Sequence, residues 1–447
     1  MGWGIMPETL IKSEEFKDSP VGRIPKDWEV VPLSSIGEIV TGATPPSRVM
    51  GIWGDVLPFI TPGDISEDGQ VMKAERNLSA SGVKYVRPIP AKTVLVVCIG
   101  STLGKTAFAT EECATNQQIN AVIPNSIHEP SFIYAVLTYH IDQLLRWAGL
   151  QAVPIVNKNQ FGKMLVPIAP PDEQRRISEI FDSLDKTIAH TSSLIAKLKL
   201  MKAGLLHDLL TRGLDENGEL RDAIAHPEQF KDSPLGRIPK DWETPTFEEV
   251  TVDDTPICYG IVQPGSHVES GVPVIAIQNL NTDYRTNIHK SAQAIESRYV
   301  RSRVCSNDLL LSVKGTIGRV GIVPSWFIGN ISRDVARIRL KSLASPQYVR
   351  QMLLAPSSQK RLEQAVVGTT RAEISIGILR KLRLPLPPLP EQELIADVLN
   401  VHDSRIRAEE AYRDKLKLQK KGLMHDLLTG KVRVKDADKF TSVGDTV

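Results

Sequence analysis

An internal duplication restricts the architecture of this chain more than any other feature of its sequence. The segment Phe16–Glu29 returns as Phe230–Glu243 with a single substitution, and Lys197–Thr211 returns as Lys415–Thr429 with three. The offsets in numbering, +214 and +218, are close to half the length of the chain, which has 447 residues. Solenoid repeats have periods of only about 20–50 residues. The sequence therefore predicts two related halves rather than an array of small units.

The two halves differ in how far their segments have diverged. The near-identical segments are expected to do the same mechanical job twice, as a shared scaffold or as two sites for the same partner. Residues 31–165 and 244–383 have diverged, although matched motifs such as Thr102–Lys105 and Thr316–Arg319 stay in register. Two similar modules with different surfaces indicate one chain that recognises two different targets.

Each diverged segment is predicted to be a compact α/β (α+β) domain of ordinary size. Apolar runs at Thr93–Ile99 and Leu309–Val313 are typical of buried strands, and a glycine turn follows each run. Proline at the first helical position predicts helices from Pro130 through Trp147 and from Pro346 to about Ala365. The fold class is therefore mixed, with short strands and helices in both domains.

A long helix is predicted after each domain. Prolines and carboxylates at Pro171–Glu173 and Pro387–Glu391 are typical of helix starts, and no proline follows before Thr211 or Thr429. At about 1.5 Å per residue, the first helix would be about 60 Å long. The two helices are predicted to pair side by side as an antiparallel coiled coil, related by a pseudo-twofold axis. The alternative is that each helix packs only on its own domain.

Apolar residues spaced alternately by three and four predict the seam of this coiled coil. In the first helix Thr187 and Thr191 join the apolar seam positions Ile177, Ile180, Leu184, Leu194, Leu198, Met201 and Leu205. The second helix has a more polar middle, and its apolar seam positions are Ile395, Val398, Tyr412, Leu416 and Leu423. The predicted division is 1–168 (N-terminal segment and first domain), 169–212 (central helix), 213–386 (linker and second domain), 387–430 (C-terminal helix) and 431–447 (tail).

Composition narrows the function classes. The 54 Lys and Arg residues nearly balance 52 Asp and Glu, a formal charge of +2, which excludes a uniformly basic coat protein. No apolar stretch approaches the ~18 residues of a membrane helix and no signal sequence opens the chain, so we expect a soluble cytoplasmic protein. Four scattered cysteines without a Cys-x-x-Cys pair argue against a disulfide framework and a zinc site.

The repeated segments resemble a known family, the specificity subunits of Type I restriction–modification systems. The resemblance covers nearly the whole chain and rests on Asp18–Trp28 with its copy, on Pro171–Gln174 and Pro390–Gln392 at the helix starts, and on the Gly-Leu-Leu/Met-His-Asp-Leu-Leu-Thr helix ends. It implies two target recognition domains, each reading one part of a split double-stranded DNA site. It also implies that the helices fix the gap between those parts and dock two methyltransferase subunits.

The resemblance further implies that this subunit is not an enzyme. We find no Asn-Pro-Pro-Tyr or Asp-Pro-Pro-Tyr motif, no P-loop and no repeated acidic cluster for Mg²⁺, so catalytic and metal-binding residues are predicted to be absent. S-adenosylmethionine, ATP and Mg²⁺ are expected on partner subunits, which include the methyltransferase and restriction subunits. His207–Asp208 and His425–Asp426 are assigned structural roles at helix ends. A scaffold whose domains bind proteins or sugars, and a nucleotide hydrolase using Gly100–Thr106, remain as alternatives.

The segment Gly100–Thr106 is the strongest candidate for a nucleotide loop. It has three residues between its glycines where a P-loop has four, and the matching Gly315–Val320 lacks both the lysine and the hydroxyl. A nucleotide site is therefore disfavoured. The segment is predicted to be a tight turn, and the same turn could bring the backbone to a DNA phosphate with Lys105 or Arg319 adding charge.

Candidate DNA-binding residues are selected by their chemistry. Arginine matches the O6 and N7 edge of guanine, and Asn and Gln match adenine. The stretch 281–340 carries a local charge of +6, against +1 for 67–126. A solvated face with local ion pairs is the alternative for any single arginine, and Asn also commonly shapes turns. The candidates are Arg48, Lys84, Arg87, Thr102, Lys105, Asn116, Gln117 and Gln118 in the first domain, and Arg285, Arg298, Arg301, Arg303, Lys314, Thr316, Arg319 and Arg333 in the second. Trp28 and Trp242, in the near-identical loops, are predicted to be packing anchors against a helix end.

Overall fold

The computed structural model describes residues 15–66, 69, 71, 74–148, 153–280, 284–367 and 372–434. Residues 1–14 of the predicted N-terminal segment and 435–447 of the predicted tail lie outside this range. The chain forms two compact units, each containing one α/β domain and parts of both long helices. One unit runs to Ser192 and resumes at Ala411, and the other is Ser193–Glu410. Among the described residues, no helix is long and apolar enough to span a membrane.

The first domain is built on two four-stranded sheets. The strands are β1 Phe16–Lys17, β2 Ile24–Pro25, β3 Glu29–Pro32, β4 Gly37–Thr41, β5 Trp53–Gly54, β6 Leu57–Ile60, β7 Arg76–Leu78, β8 Thr93–Val97, β9 Thr106–Ala109, β10 Ala114–Thr115, β11 Ile119–Pro124 and β12 Leu165–Ile168. The main sheet has the order β4-β11-β8-β9 and is antiparallel, and the small sheet has the order β10-β6-β7-β5, with β10 and β6 parallel. The helices are α1 Leu33–Ile36, α2 Pro130–Tyr139, α3 Asp142–Ala148 and α4 Lys158–Gly162, followed by the long α5 Pro171–Thr211.

The second domain repeats this topology. The strands are β13 Phe230–Ser233, β14 Gly236–Pro239, β15 Cys258–Tyr259, β16 Val272–Ile275, β17 His289–Ser291, β18 Leu309–Ser312, β19 Val320–Ile322, β20 Asn330–Ile331 and β21 Val335–Ile338. The main sheet β15-β21-β18-β19 corresponds strand for strand to that of the first domain, and the small sheet is β17-β16-β20, with β16 and β20 parallel. The helices are α6 Phe247–Val250, α7 Gln293–Glu296, α8 Pro346–Leu354, α9 Pro356–Gln364 and α10 Ile376–Lys381, followed by the long α11 Leu389–Leu428.

The mixed α/β prediction and the buried strands are confirmed, but both predicted domain helices are broken in two. The second breaks before Pro356, which begins α9. Proline lacks an N–H group and its ring clashes with the preceding turn, so it starts a new helix rather than continuing α8. The first breaks at His140, between α2 and α3. No proline or glycine marks the break at His140, so local sequence contains no signal for it.

The long helices lie antiparallel, as predicted. In the second unit Lys199 contacts Glu410 at 2.6 Å and Lys202 contacts Asp403 at 2.5 Å, so the residue number rises along α5 as it falls along α11. In the first unit Lys420 of α11 contacts Asp185 of α5 at 2.6 Å. The +218 offset relates the Lys202–Asp403 pair to the Lys420–Asp185 pair. The duplicated sequence thus makes the same interhelical contact twice.

Most predicted seam positions are buried or partly buried, but Met201 in α5 and Tyr412 in α11 are exposed. In α5 a stripe with strict four-and-three spacing passes through Phe181, Ile188, Ile195 and Lys202, next to the partly buried Ile180, Thr187 and Leu194 and the exposed Met201. The same spacing holds in α11 at +218, through Leu399, Ile406, Arg413 and Lys420, next to the partly buried Val398 and the exposed Arg405, Tyr412 and Gln419. At most of these steps either of two adjacent residues could occupy the seam. Where the apolar Met201 was expected, the seam position is taken by Lys202, which pairs with Asp403.

Candidate nucleic-acid interface

The turn between β8 and β9 brings several predicted residues of the first domain together. Gly104 has φ +94° and its N–H donates to the Val97 carbonyl, which closes the turn. Thr102 accepts a backbone hydrogen bond from Lys105, and the Lys105 ammonium donates to the Ile65 carbonyl at 3.3 Å. The turn therefore joins two antiparallel strands, whereas a P-loop leads from a strand into a helix.

The predicted amides lie beside this turn. Gln118 donates through Nε2 to the Ile99 carbonyl, and Asn116 donates through Nδ2 to Gln118 Oε1 at 2.9 Å. Gln117 is exposed, and its Oε1 accepts from the Thr44 hydroxyl. The amides of Asn116 and Gln118 thus brace the turn as well as offering hydrogen-bonding groups at its edge.

The equivalent turn of the second domain follows β18. Gly318 has φ +87°, and its N–H and the Arg319 N–H both donate to Ser312. Thr316 and the Arg319 side chain are exposed. Lys314 is held in place, because its ammonium lies 2.8 Å from Glu373 and 4.8 Å from the ring centre of Tyr259. Both turns close on a glycine of positive φ, but they differ in length and present different side chains.

The candidate basic residues fall into two groups. Arg87 pairs with Glu38 at 2.6 Å, and Arg333 lies 3.7 Å from Asp334. Arg285 lies over the ring of Trp326. Within the described part of the chain, the candidates that form no ion pair and are exposed are Arg48, Lys84, Arg298, Arg301 and Arg319. Their assignment to DNA remains a prediction.

Arg303 has a buried structural partner. Its Nε and Nη2 donate to the two oxygens of Glu296 at 2.7 and 2.8 Å, and the Glu296 side chain is buried. These bonds, with a further one from Asn330, hold the pKa of Glu296 below its ordinary value despite burial. Arg337 and Arg339 of the same basic stretch are also used internally. Part of the +6 charge of this stretch therefore stabilises the domain.

The near-identical loops dock on the helix starts, as predicted for their tryptophans. Trp28 is fully buried and its Nε1 donates to Glu173, near the start of α5, at 3.0 Å. Glu173 also accepts from Arg433, whose guanidinium reaches Asp27 as well at 2.9 and 3.0 Å. The loop, the beginning of one helix and the segment beyond the other helix thus meet at one carboxylate.

The second unit repeats this junction. Trp242 donates to Glu391 at 3.1 Å, and Arg221 bridges Glu391 and Asp241. Arg221 and Arg433 are not related by the offset of the duplication. The equivalent carboxylates Glu391 and Glu173 therefore bind arginines from different positions in the two halves. Sequence reasoning missed both arginines, since neither lies in a repeated motif.

A glutamine in each helix start was also missed as a positioning residue. Gln174 is buried, accepts from the N–H of Glu129 before α2, and donates to the Ala169 carbonyl. Gln392 does the same for Ser345 before α8 and for the Pro387 carbonyl. The Glu-Gln pair at each helix start therefore fixes both the repeated loop and the first domain helix. The repetition of this Glu-Gln pair at both helix starts was the sequence signal that could have identified the glutamines.

Comparison with known proteins agrees with this arrangement. A sequence profile described as Type I restriction modification DNA specificity domain matches residues 25–200 and 266–418. The Type I restriction enzyme MjaVIII specificity subunit of Methanocaldococcus jannaschii is 24% identical over 442 residues, covering 95% of this chain and 97% of the relative. The EcoBI specificity subunit of Escherichia coli is 26% identical over 404 residues, covering 88% and 81%.

Solved structures share the fold. The S subunit of a Type I restriction–modification system from M. genitalium superimposes with a TM-score of 0.57 at 14% identity, covering 90% of this chain and 96% of that one. A chain from a study of complex assembly in the Type I R-M system gives a TM-score of 0.53 at 19% identity, covering 92% and 99%. With two copies of the family profile spanning most of its length, this chain belongs to the Type I restriction modification DNA specificity family.

Proposed function

We propose that this chain is the sequence-recognition subunit of a Type I restriction–modification complex. Each α/β domain reads one half of a bipartite DNA site, and the antiparallel helices set the gap between the halves. The observation that carries this proposal is the contrast within the duplication. The junctions at Glu173 and Glu391 and the contacts between the helices are repeated, while the residues presented by the two turns differ.

The alternatives have less support. A scaffold for other ligands would not account for the family match over both halves. A nucleotide hydrolase at Gly100–Thr106 is disfavoured because the segment closes a hairpin. The curated relatives are named as specificity subunits of restriction enzymes, which supports a non-catalytic role. Adenine methylation and cleavage would then belong to methyltransferase and restriction subunits, which would bind S-adenosylmethionine, ATP and Mg²⁺ in the cytoplasm.

We further propose where two methyltransferase subunits dock. Leu200 of α5 and Leu418 of α11, related by the +218 offset, are 75% and 71% exposed. Four residues further along each helix lies a glycine, Gly204 or Gly422, and an added Cβ would meet open space at both. A glycine inside a helix costs about 0.5–1 kcal/mol relative to alanine, and the chain itself gains no packing from it. A partner that approaches the helix backbone closely, once in each unit, would explain both features.

The docking proposal predicts a change in stoichiometry. Leu200→Glu and Leu418→Glu should each remove one of two bound methyltransferase subunits, and the double variant should remove both, because a buried unpaired charge is costly. Native mass spectrometry of the assembled complex would measure this. Val401→Glu is the matched control, since Val401 is exposed on α11 but its counterpart at −218 is Ser183. Loss of binding in the control, or full occupancy in the double variant, would contradict the proposed surface.

The recognition function itself is tested on genomic DNA. Modified-base sequencing of the source genome, with and without this gene, should reveal one bipartite motif whose adenine methylation depends on the gene. A genome whose methylated motifs are unchanged by the deletion would exclude the proposed function.

A further inference from the structure

Each domain carries a half-exposed tryptophan stacked between a buried phenylalanine and an exposed arginine. In the first domain Trp53 is 43% exposed, its ring centre lies 5.5 Å from that of Phe59, and the Arg76 guanidinium carbon lies 5.2 Å from the centre of its ring. In the second domain Trp326 is 48% exposed, and the corresponding distances to Phe327 and Arg285 are 5.9 and 5.1 Å. Both tryptophan rings meet the phenylalanine edge-on.

Both stacks lie on an edge of the small sheet of their domain, but at positions that the duplication does not relate. Trp53 begins β5, on one edge of the small sheet of the first domain. Trp326 lies shortly before β20, an edge strand of the small sheet of the second domain. The small sheets correspond at nearly the same offset as the near-identical loops, from Leu57 to Val272, which would place Val268 opposite Trp53. The duplication therefore does not relate the two stacks, which lie on opposite edges of corresponding sheets because β20 corresponds to β10.

The chemistry of such a stack suits recognition of a base edge. A guanidinium held on an aromatic face is attracted by the ring quadrupole and loses little freedom when it binds. Its planar N–H groups match O6 and N7 of guanine bidentately, and an exposed aromatic surface can contact the neighbouring base. The same fork also fits a phosphate, but a phosphate contact would be equally strong on every sequence, which a comparison of intact and scrambled sites reveals.

We propose that Trp53 with Arg76 and Trp326 with Arg285 are base-reading contacts, each recognising a guanine in the half-site of its own domain. This inference rests on the proposed function. It adds Trp53, Arg76 and Trp326 to the candidate residues, and it distinguishes Arg285 from the surrounding arginines as one that reads sequence.

The test couples a protein variant to a DNA change. The full chain, assembled with its methyltransferase subunits, is titrated with three duplexes: the intact site, and the site with either half scrambled. Trp53→Leu combined with Arg76→Gln should weaken binding of the intact site by roughly 10- to 100-fold. It should have less than about a twofold effect when the half-site of the first domain is already scrambled, because the contact is then lost already. Trp326→Leu with Arg285→Gln should show the reverse dependence.

Trp147→Leu is the matched control, since Trp147 is also 43% exposed but lies on α3, outside the small sheets. It should leave the affinity for all three duplexes unchanged. Arg76→Lys keeps the charge and should behave like the double variant on the intact site if the arginine reads a base. An equal loss on all three duplexes, or no loss on the intact site, would overturn the inference. If the wild-type complex itself binds intact and scrambled sites equally, the proposed function fails instead.

Discussion

Two glutamates, the buried Glu173 and the partly buried Glu391, hold together segments that are far apart in the sequence. Each accepts a hydrogen bond from an indole and two or more from an arginine, so its charge is compensated by specific donors. Removing one partner of a buried ion pair leaves an uncompensated charge, which costs more than the pair contributes. These residues therefore explain why the loops ending in Asp-Trp have hardly changed between the two halves.

Glu391→Ala is expected to lower the free energy of unfolding by about 3 kcal/mol, because Arg221 would lose its main partner and the Trp242 indole its acceptor. Urea unfolding followed by circular dichroism would measure the change. Glu228→Ala is the control, since Glu228 forms an exposed contact with His226 and its loss should shift stability by less than about 0.5 kcal/mol. A loss from Glu391→Ala no larger than in the control would show that the junction does not stabilise the fold.

His140 makes stability depend on pH. Burial lowers the pKa of His140 to about 4, from its ordinary value of 6.5. Between these values the unfolded chain binds a proton that the folded chain does not, so folding stability should fall as the pH drops from 6.5 towards 4. The loss in the free energy of unfolding is at most about 3 kcal/mol.

Urea unfolding at pH 7 and pH 5 should show a smaller difference in the free energy of unfolding for His140→Gln than for the wild type. The exposed His190→Gln should behave as the wild type does, and an unaltered difference in His140→Gln would contradict this assignment.

At the scale of elements, the existence of the long helices was predictable and most of their seam was too, except at positions such as Met201 and Tyr412. A long stretch without proline follows each helix start, and this stretch predicted α5 and α11. The phase of the seam depends on which of two adjacent apolar residues faces the partner helix, and the polar contacts at Lys202 and Lys420 help decide it. Local spacing contains no information about a carboxylate that the other long helix supplies.

Lengthening both long helices together is expected to lengthen the gap that they set. One heptad added after Leu194 and one after Tyr412 would keep the contacts of Lys202 and Lys420 with their aspartates and add about 10 Å, the length of about three base pairs. The methylated motif should then have a longer gap with both half-sites unaltered. A heptad in α5 alone should instead lower the melting temperature. An unchanged gap in the double insertion would remove the ruler role.

At the scale of the whole molecule, the two domains are predicted to be exchangeable. Replacing residues 244–383 with those of a relative should change one half of the methylated motif and leave the other half and the gap intact, because the junctions at the helix starts lie outside this segment. Modified-base sequencing reads the outcome directly. Replacing 31–165 is the reciprocal control. A motif in which both halves change after one exchange would show that the domains do not read DNA independently.

The sequence by itself determined the duplication, the two α/β domains, the long helices and the family, because near-identical repeats and helix length are visible without any distant contact. Only the tertiary structure decided the exact phase of the helix seam, the break at His140 in the first domain helix, and the roles of Arg221 and Arg433. It also placed Arg303 and Lys314 in internal ion pairs and stacked Arg76 and Arg285 on exposed tryptophans. The physical reason is the same in most of these cases. The state of a charged side chain depends on the group it meets in space, and most of these partners are supplied by distant parts of the chain.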